Sequence, residues 1–151
     1  TLFELQKLQA IADYQFGRNA SSLFSGNISI QHSRTGRARY IFLNDKFLAT
    51  LRAHDGLFSL SILGANKLKK IIKAPKLRIV VMDEAVPFIK EGRNVFAKHV
   101  INADPEIRPR EEVLVVDQMD NLIGVGKALL TGKEMLAFKS GIAVKVRHGV
   151  E

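Results

Sequence analysis

The sequence predicts an α+β fold made of two small, β-rich modules. Short alternating apolar runs outnumber the helical patterns, tight-turn residues separate those runs, and a proline divides the chain near its middle. Pro75 disfavours helix in the residue before it, and a new strand pattern starts at once over 77–82. We therefore expect one module over residues 1–74 and a second over residues 75–151.

The first module should contain two helices and two β-hairpins. Apolar residues at helical spacing over 2–16 predict a helix that ends at Gly17. Gly36 suits the turn of one hairpin, and Asp55-Gly56 between alternating apolar runs is a strong signal for the other. The expected strands cover 27–33, 39–43, 46–53 and 57–63, and a lysine-rich second helix covers 65–73.

The second module should contain several strands and two short helices. Pro87 begins the first of these helices, and Gly92 can end it in a left-handed conformation. Thr131 and Glu134 have the spacing of a capping box, and Gly141 closes the helix that they begin. The expected strands cover 77–82, 95–101, 113–116, 122–125 and 142–146.

The composition limits the class of protein. Hydrophobic residues make up 46% of the 151 residues and charged residues 25%, which is typical of a globular protein. No apolar run approaches the ~20 residues of a membrane helix, and the first residues lack the pattern of a signal peptide. Cysteine is absent, which excludes disulfides and thiolate zinc sites and is typical of the cytoplasm. We expect a cytoplasmic protein without membrane contact.

The positive charge is concentrated in the first half of the chain. Of the net charge of +8, residues 1–75 hold 11 Lys/Arg against 4 Asp/Glu, or +7, whereas residues 76–151 hold 12 against 11, or +1. A basic balance of this kind favours polyanions as partners, nucleic acid first. The alternative is that the charge serves solubility alone.

The sequence offers no convergent catalytic or metal-binding cluster. The four histidines are scattered, and none lies at metal-ligand spacing from another. His54 precedes the turn residues Asp55 and Gly56, so we interpret this group as hairpin chemistry. Asp83 and Glu84 have the acidic character that complements the dipole at a helix start. We therefore expect no catalytic residue, no metal and no cofactor.

Two glycines at a spacing of two residues, Gly124 and Gly126, lie within one predicted strand. They do not form a phosphate-binding loop, because no G-x-G-x-x-G pattern or lysine-serine pair accompanies them. One interpretation is close packing between strands. The other is a groove in which a backbone or a base approaches closely.

The arginines of the first predicted hairpin are the clearest candidates for nucleic-acid contact. Arg34, Arg37 and Arg39 surround the turn, with Tyr40 beside them. Such a turn can contact several phosphates, and arginine also stacks on unpaired bases. The alternative is a solvated hairpin tip. Four further cations are expected on an exposed helical face that adds to the same field, namely Lys67, Lys69, Lys70 and Lys73.

The stretch EGRNVFAKHV, residues 91–100, places cations within an apolar run. On a continuous strand, Lys98 would share one face with Phe96 and Val100, and His99 would lie on the other. Gly92 leaves its backbone open to close approach before Arg93. An RNA-binding edge and a snorkelling lysine with a buried histidine are both open interpretations. The candidate residues of this edge are Lys90, Gly92, Arg93, Lys98 and His99.

The order of motifs after Pro75 resembles a known RNA-binding module. RIVVMDEAVPFIKEGRNVFAKHV, EEVLVVDQMDNLIGVGKALLTGKEM and GIAVKV follow one another as in a PUA domain. AIADYQFG, SRTGRARYIF, LATLRAHDG and LGANKL resemble the region before the PUA domain in archaeal tRNA-guanine transglycosylases that form archaeosine. The resemblance covers nearly the whole chain. It implies a mixed α/β module followed by a β pseudo-barrel that binds tRNA, including its acceptor end.

The catalytic barrel and cysteine-rich zinc site of that family have no counterpart in this sequence. The resemblance therefore implies a non-catalytic RNA-binding protein, with tRNA as its partner and a separately encoded tRNA-modifying subunit as a possible second partner. By position, the RNA-facing edge falls on the helix ending at Gly92 and on the stretch with Lys98 and His99. One alternative is a protein-interaction adaptor or dimerising scaffold that docks through the helix at 2–16. The other is an enzyme with a small, unrecognised site.

Overall fold

The computed structural model describes all 151 residues, which form two compact units, Thr1–Ile72 and Lys73–Glu151. Each unit combines helices with an antiparallel or mixed sheet, so the predicted α+β class is confirmed. No helix in the structure has the length and the apolar character needed to cross a membrane.

The first unit is a four-stranded antiparallel sheet with two helices. The strands are hydrogen-bonded in the order β1-β2-β3-β4, so each neighbour in the sheet is also a neighbour in sequence. Both predicted hairpins are present. The elements are α1 (Leu2–Phe16), a 3-10 turn (Ala20–Phe24), β1 (Ile28–His32), β2 (Ala38–Leu43), β3 (Lys46–Leu51), β4 (Phe58–Leu60) and α2 (Ile62–Ile71).

The bounds of the helices follow from their caps. Helix α1 begins after Thr1, whose hydroxyl accepts from the amide of Glu4, and it ends before Gly17 as predicted. Helix α2 begins three residues earlier than predicted, because the Ser61 hydroxyl accepts from the amide of Gly64 at 3.0 Å. A serine that caps in this way stabilises a helix by about 1 kcal/mol relative to alanine.

The core of the first unit lies between one face of the sheet and the layer formed by α1, α2 and the 3-10 turn. Leu8 and Phe16 of α1 are buried, and the rings of Phe24 and Phe58 are 4.7 Å apart. Gln15 fixes the helix to β4: its side-chain amide donates to the Phe58 carbonyl at 2.9 Å, and its oxygen accepts from the Phe58 amide at 2.7 Å. The opposite face of the sheet is therefore left toward solvent.

The second unit contains a six-stranded sheet in the order β6-β10-β9-β8-β5-β7. The pair β5–β8 is parallel, and the other pairs are antiparallel. β6 and β7 lie at opposite edges of this order although only three residues separate them in sequence, so the sheet curls into a nearly closed barrel, as the resemblance implied. The elements are β5 (Arg78–Val81), α3 (Val86–Lys90), β6 (Val95–Phe96), β7 (Val100–Ala103), β8 (Glu112–Val116), β9 (Leu122–Ala128), α4 (Gly132–Ala137) and β10 (Ile142–Gly149).

The predicted continuous strand over 95–101 is wrong. A 3-10 turn, Ala97–His99, separates β6 from β7. The reason is the barrel closure: β6 pairs with β10 whereas β7 pairs with β5, so the chain must leave one edge and join the other. Two hydrogen bonds stabilise the turn. The Ala97 amide donates to the Gly141 carbonyl and the Met82 amide donates to the His99 carbonyl, both at 2.9 Å. Lys98 therefore does not alternate with Phe96 and Val100.

The two glycines of β9 serve close packing, and the groove interpretation is wrong. A Cβ atom on Gly126 would lie 2.2 Å from the Lys145 carbonyl oxygen of β10. A Cβ atom on Gly124 would lie 3.3 Å from both the His148 carbonyl oxygen and the side chain of Ile89 in α3. The space above these glycines is thus filled by the chain itself, and no base can enter it.

Candidate nucleic-acid interface

The turn between β1 and β2 presents two free arginines. The Ser33 amide donates to the Arg37 carbonyl at 2.8 Å, and the Gly36 amide donates to the Ser33 carbonyl at 2.9 Å. Gly36 has φ of 84°, a left-handed conformation that favours glycine. The side chains of Arg34 and Arg37 are exposed, and neither takes part in an ion pair. Both guanidinium groups are therefore available to phosphates.

Arg39 is not at the hairpin tip with the other two arginines. Its side chain is half-buried, and its guanidinium donates to the Leu51 carbonyl at 3.5 Å. The guanidinium carbon lies 5.9 Å from the centre of the Tyr40 ring. Arg39 is thus held along the sheet beside an aromatic ring, an arrangement in which the cation is attracted to the ring face.

The lysines of α2 do not form one uniformly exposed face, in contrast to the prediction. Lys67 is half-buried, and its ammonium donates to the carbonyls of Leu23 at 2.9 Å and Ser25 at 3.2 Å. Burial lowers the pKa of Lys67 from its ordinary value. Its role is to join α2 to the 3-10 turn before β1, and only Lys70 and Lys73 are fully exposed.

In the second unit, α3 presents an aromatic ring beside a cation. Ile89 is buried against β9, whereas the opposite side of the short helix carries Phe88, of which 55% is exposed. Gly92 ends the helix with φ of 98°, as predicted, and a Cβ atom at that position would meet open space. The chain turns back so that the guanidinium carbon of Arg93 lies 5.9 Å from the centre of the Phe88 ring.

Lys98 and His99 lie on the 3-10 turn between the two edge strands. Lys98 is exposed and forms no ion pair. His99 is half-buried, and its ring meets the edge of the Phe96 ring with the centres 6.1 Å apart. Phe96 is itself exposed. The interpretation of a buried histidine is therefore wrong.

The segment from Asp83 to His99 has no excess of positive charge. Three Lys/Arg and three Asp/Glu balance, and Asp83, Glu84 and Glu91 are all exposed. Burial raises the pKa of Asp117, but hydrogen bonds from Asn121 and Met119 and the charge of Lys90 outweigh it and lower the pKa below its ordinary value. The net charge of this segment therefore gives no strong general field, and only individual contacts such as those of Arg93 and Lys98 are available to a ligand.

Sequence reasoning missed Phe88 as a site residue. The helix has only five residues, so one turn can bury a single side, and Ile89 occupies it. A large apolar residue next to that buried position, directly after the helix-starting Pro87, must then face outward. This pattern is visible in the sequence PFIKEG, but only once the buried partner of the helix is known.

The other clusters considered in the sequence have structural roles. His54 and Asp55 lie in the β3–β4 turn, where Asp55 accepts from the Leu57 amide at 3.0 Å and pairs with Arg52 at 2.8 Å. The turn interpretation is confirmed. Asp83 and Glu84 lie in a 3-10 turn before α3, which also agrees with the prediction. The structure contains no group of three or more histidine or carboxylate side chains placed to hold a metal ion.

A cavity of about 220 Å³ lies beside Pro75 in the second unit. Its polar walls are already engaged within the chain. Asp104 accepts from the amides of Leu77 and Glu106, both at 2.9 Å, and Arg78 pairs with Asp120 at 3.0 Å. These contacts order the loops around β5 and leave little free hydrogen-bonding capacity for a small ligand.

The two units match two known domain families. Residues 6–75 match the patch-forming domain C2 of tRNA-guanine transglycosylase, and residues 77–150 match the PUA domain. The chain is also similar to the tRNA-guanine(15) transglycosylase of Pyrococcus abyssi, at 50% identity over 97% of the chain and 25% of that protein. The chain spans about a quarter of the length of the curated relatives that it matches.

Solved structures agree with the fold. A hypothetical protein of Pyrococcus horikoshii aligns with a TM-score of 0.77 and 25% identity, covering 100% of this chain and 92% of that one. A conserved PUA domain protein of Thermoplasma acidophilum aligns with a TM-score of 0.66 and 19% identity over 95% of this chain and 86% of that one. The second likeness concerns the fold alone.

Proposed function

We propose, since the chain is a PUA-domain protein preceded by a transglycosylase C2 domain, that it binds structured RNA and specifically tRNA. The observation that carries the proposal is the exposed Phe88–Arg93 pair in the PUA unit. This pair lies beside the open backbone of Gly92 and on the same unit as the free cation Lys98. We call Phe88, Gly92, Arg93, Lys98 and His99 the PUA edge.

The chemistry of the PUA edge suits an RNA end with unpaired nucleotides. Sequence-specific and end-specific recognition of RNA relies on unstacked bases that stack on aromatic rings and on guanidinium planes. Phe88 and Arg93 supply both surfaces within 5.9 Å of each other. The missing side chain of Gly92 allows a sugar or phosphate to reach the backbone, and Lys98 supplies a charge for a phosphate. The acceptor end of tRNA, with its unpaired 3′ nucleotides, has this form.

The first unit contributes charge to the same function. Arg34 and Arg37 are exposed and free of carboxylate partners. Each contact of such a cation with a phosphate releases a counterion, which makes binding fall steeply with salt. These arginines carry no sequence information, so they add affinity for folded RNA in general.

In this proposal the two units hold the tRNA and do not exchange its base themselves. The proposal is supported by the domains that they match, which are the C2 and PUA domains. The role of the chain would be to position the tRNA, and a separately encoded tRNA-modifying catalytic subunit would carry out the modification. No cofactor is needed for such a role.

The test is the binding of tRNA and of duplex DNA to the full chain over a series of salt concentrations. We expect tRNA to bind more tightly than duplex DNA at every salt concentration, with both affinities falling as salt rises. Equal affinity for tRNA and duplex DNA would indicate that the protein binds polyanions in general. No retention of tRNA in dilute buffer would overturn the proposal.

A second candidate function is a protein-interaction adaptor or dimerising scaffold that docks through α1. One face of this helix is exposed and partly aromatic, with Phe3 at 78% and Tyr14 at 84% exposure. These two residues lie eleven positions apart, which brings them to the same side of a helix. Co-purification of a partner after nuclease treatment favours the adaptor, and loss of every partner with the RNA argues against it.

A further inference from the structure

The outer face of the first sheet, which faces away from α1, carries three aromatic rings. Its side chains come from two rows of paired residues. Gln31, Tyr40, Thr50 and Ser59 form one row, and Ser29, Phe42 and Phe47 form the other. Antiparallel sheets with one face in solvent commonly alternate apolar inward and polar outward. Rings at the centre of the outward face depart from that rule.

The three rings form one contiguous surface. The centres of Tyr40 and Phe47 are 6.4 Å apart, and those of Phe42 and Phe47 are 5.9 Å apart. Tyr40 is 39% exposed and Phe47 37% exposed, while Phe42 between the strands is half-buried. We call Tyr40, Phe42 and Phe47 the aromatic platform.

Stability of the hairpin does not account for the whole platform. Phe42 and Phe47 are directly opposed on β2 and β3, and such a cross-strand aromatic pair stabilises a sheet by itself. Tyr40 lies one row further along, opposite Thr50. Its ring leaves a large apolar surface in solvent beside the two phenylalanines, which is the surface that remains to be explained.

The charges around the platform identify the class of partner. Arg39 places its guanidinium 5.9 Å from the Tyr40 ring, and the adjoining β1–β2 turn carries the free cations Arg34 and Arg37. None of the seven outward strand positions is acidic. Of the nearby carboxylates, Asp55 is paired with Arg52. Asp45 lies in the β2–β3 turn close to Phe42 and Phe47, and the adjacent exposed Lys46 balances its charge. Aromatic rings bordered by unpaired arginines suit nucleic acid.

We propose that the aromatic platform binds unpaired bases of an RNA segment, with Arg34 and Arg37 on its phosphates. Stacked bases are about 3.4 Å apart along a strand, whereas the exposed rings of Tyr40 and Phe47 are centred 6.4 Å apart, so the bases bind splayed out on these two rings. Duplex RNA has no open base faces and is not a ligand. This inference rests on the proposed function for the class of partner, but it concerns a site separate from the PUA edge.

Tyrosine fluorescence provides a local test on the full chain. The protein has two tyrosines and no tryptophan, so the Tyr14→Phe variant leaves Tyr40 as the only tyrosine emitter. We expect single-stranded oligouridylate to quench this emission as bases stack on the ring. The matched Tyr40→Phe variant, which retains exposed Tyr14, should show no quenching. Unchanged Tyr40 emission at saturating oligouridylate would overturn the inference.

Affinity measurements separate stacking from sheet stability. These measurements use the Phe88→Leu background, in which the PUA edge has lost its stacking ring. Tyr40→Leu keeps an apolar side chain on the strand but removes the ring, and we expect it to lower the affinity of this background for fluorescein-labelled oligouridylate roughly tenfold. Tyr40→Phe keeps the ring and should leave the affinity within about twofold. A thermal unfolding midpoint is recorded for each variant. Equal binding with and without Tyr40→Leu would contradict stacking.

A variant of the PUA edge distinguishes this inference from the proposed function. Phe88→Leu should weaken tRNA binding through the PUA edge while the quenching of Tyr40 by oligouridylate persists. If the native chain binds tRNA but its Tyr40 emission is not quenched by oligouridylate, the inference is wrong and the proposed function is unaffected. Concentration-dependent self-association that Tyr40→Leu abolishes would instead show that a second copy of the chain covers the platform, which would also overturn the inference.

Discussion

The two units carry their positive charge in different ways. Thr1–Ile72 holds 10 Lys/Arg against 4 Asp/Glu, or +6, whereas Lys73–Glu151 holds 13 against 11, or +2. In the first unit, Arg34 and Arg37 are exposed without partners. In the second, Arg78 and Arg147 are committed to Asp120 and Glu112. The first unit therefore keeps a large excess of positive charge, whereas the carboxylates of the second unit nearly balance its cations.

Under the proposed function, this difference separates two sources of RNA affinity. A field from unpaired cations attracts any folded polyanion and is weakened by salt. Stacking on Phe88 requires an unpaired base and depends little on salt. A protein with one unit of each kind gains general affinity from the first and discrimination from the second. Each of the substitutions below changes either the free charge of the first unit or a specific contact of the second.

The largest expected effect is on stability and concerns a structural cation of the second unit. Arg147 reaches the buried carboxylate of Glu112 with two hydrogen bonds, one of them 3.1 Å long. Arg147→Ala removes the cation of this buried ion pair, and we expect a loss of about 3–5 kcal/mol in the free energy of unfolding by urea. Exposed Lys145 on the same strand is the control, and its change to Ala should cost under about 0.5 kcal/mol. A loss below about 1 kcal/mol for Arg147→Ala would contradict a structural role.

The next effect concerns a free cation of the second unit. Lys98→Glu reverses a charge on the PUA edge without touching an ion pair, and we expect tRNA affinity to fall by about tenfold or more, or about 1.4 kcal/mol. Arg108→Glu is the matched control, since it makes the same charge reversal at an exposed position in the loop between β7 and β8. Filter binding compares the two. Equal losses would mean that the second unit also acts through its overall charge.

A smaller effect is expected from the hairpin of the first unit. Arg34→Ala combined with Arg37→Ala removes two free cations, and the slope of log affinity against log salt should flatten by roughly 1–2. The control pair, Arg108→Ala with Lys133→Ala, removes the same charge from exposed positions of the second unit. Titrations of tRNA at several salt concentrations give both slopes. An unchanged slope for the hairpin variant would remove these arginines from the interface.

The smallest effect is a pH dependence in the turn between β8 and β9. Burial raises the pKa of Asp117, but hydrogen bonds from Asn121 and Met119 and the charge of Lys90 lower it below 3.8. Its contribution to stability is therefore present above the unfolded pKa and is lost as pH falls through the lower folded pKa. Asp117→Asn should make the unfolding midpoint less sensitive to pH below about 4. If the unfolding midpoints of Asp117→Asn and the native chain depend equally on pH, Asp117 does not contribute to this pH dependence.

Local signals predicted much of this fold. The bounds of α1 follow from apolar spacing and Gly17, the capping box at Thr131 forms with both of its hydrogen bonds, and Gly92 adopts the predicted left-handed conformation. In each case the residues that determine the structure are within a few positions of one another. Such local interactions can be predicted from a single sequence.

The errors arose where distant strands decide the structure. The break at Ala97–His99 follows from barrel closure, which depends on pairing with β5 and β10. Arg39 leaves the hairpin tip because the Leu51 carbonyl lies across the sheet. The aromatic platform needs the register of β2 on β3, which a bulge after Ile41 sets. Turn chemistry and periodicity carry no information about these partners.

The most direct measurement compares intact tRNA with tRNA lacking its unpaired 3′ nucleotides, using the native chain and Phe88→Leu. Stacking at the PUA edge predicts that truncation weakens binding to the native chain by about tenfold. Truncation should weaken binding to Phe88→Leu clearly less, because that variant retains only the contacts of Arg93 and Lys98. If the native chain binds both RNAs with the same affinity, the second unit does not read an RNA end and the account fails.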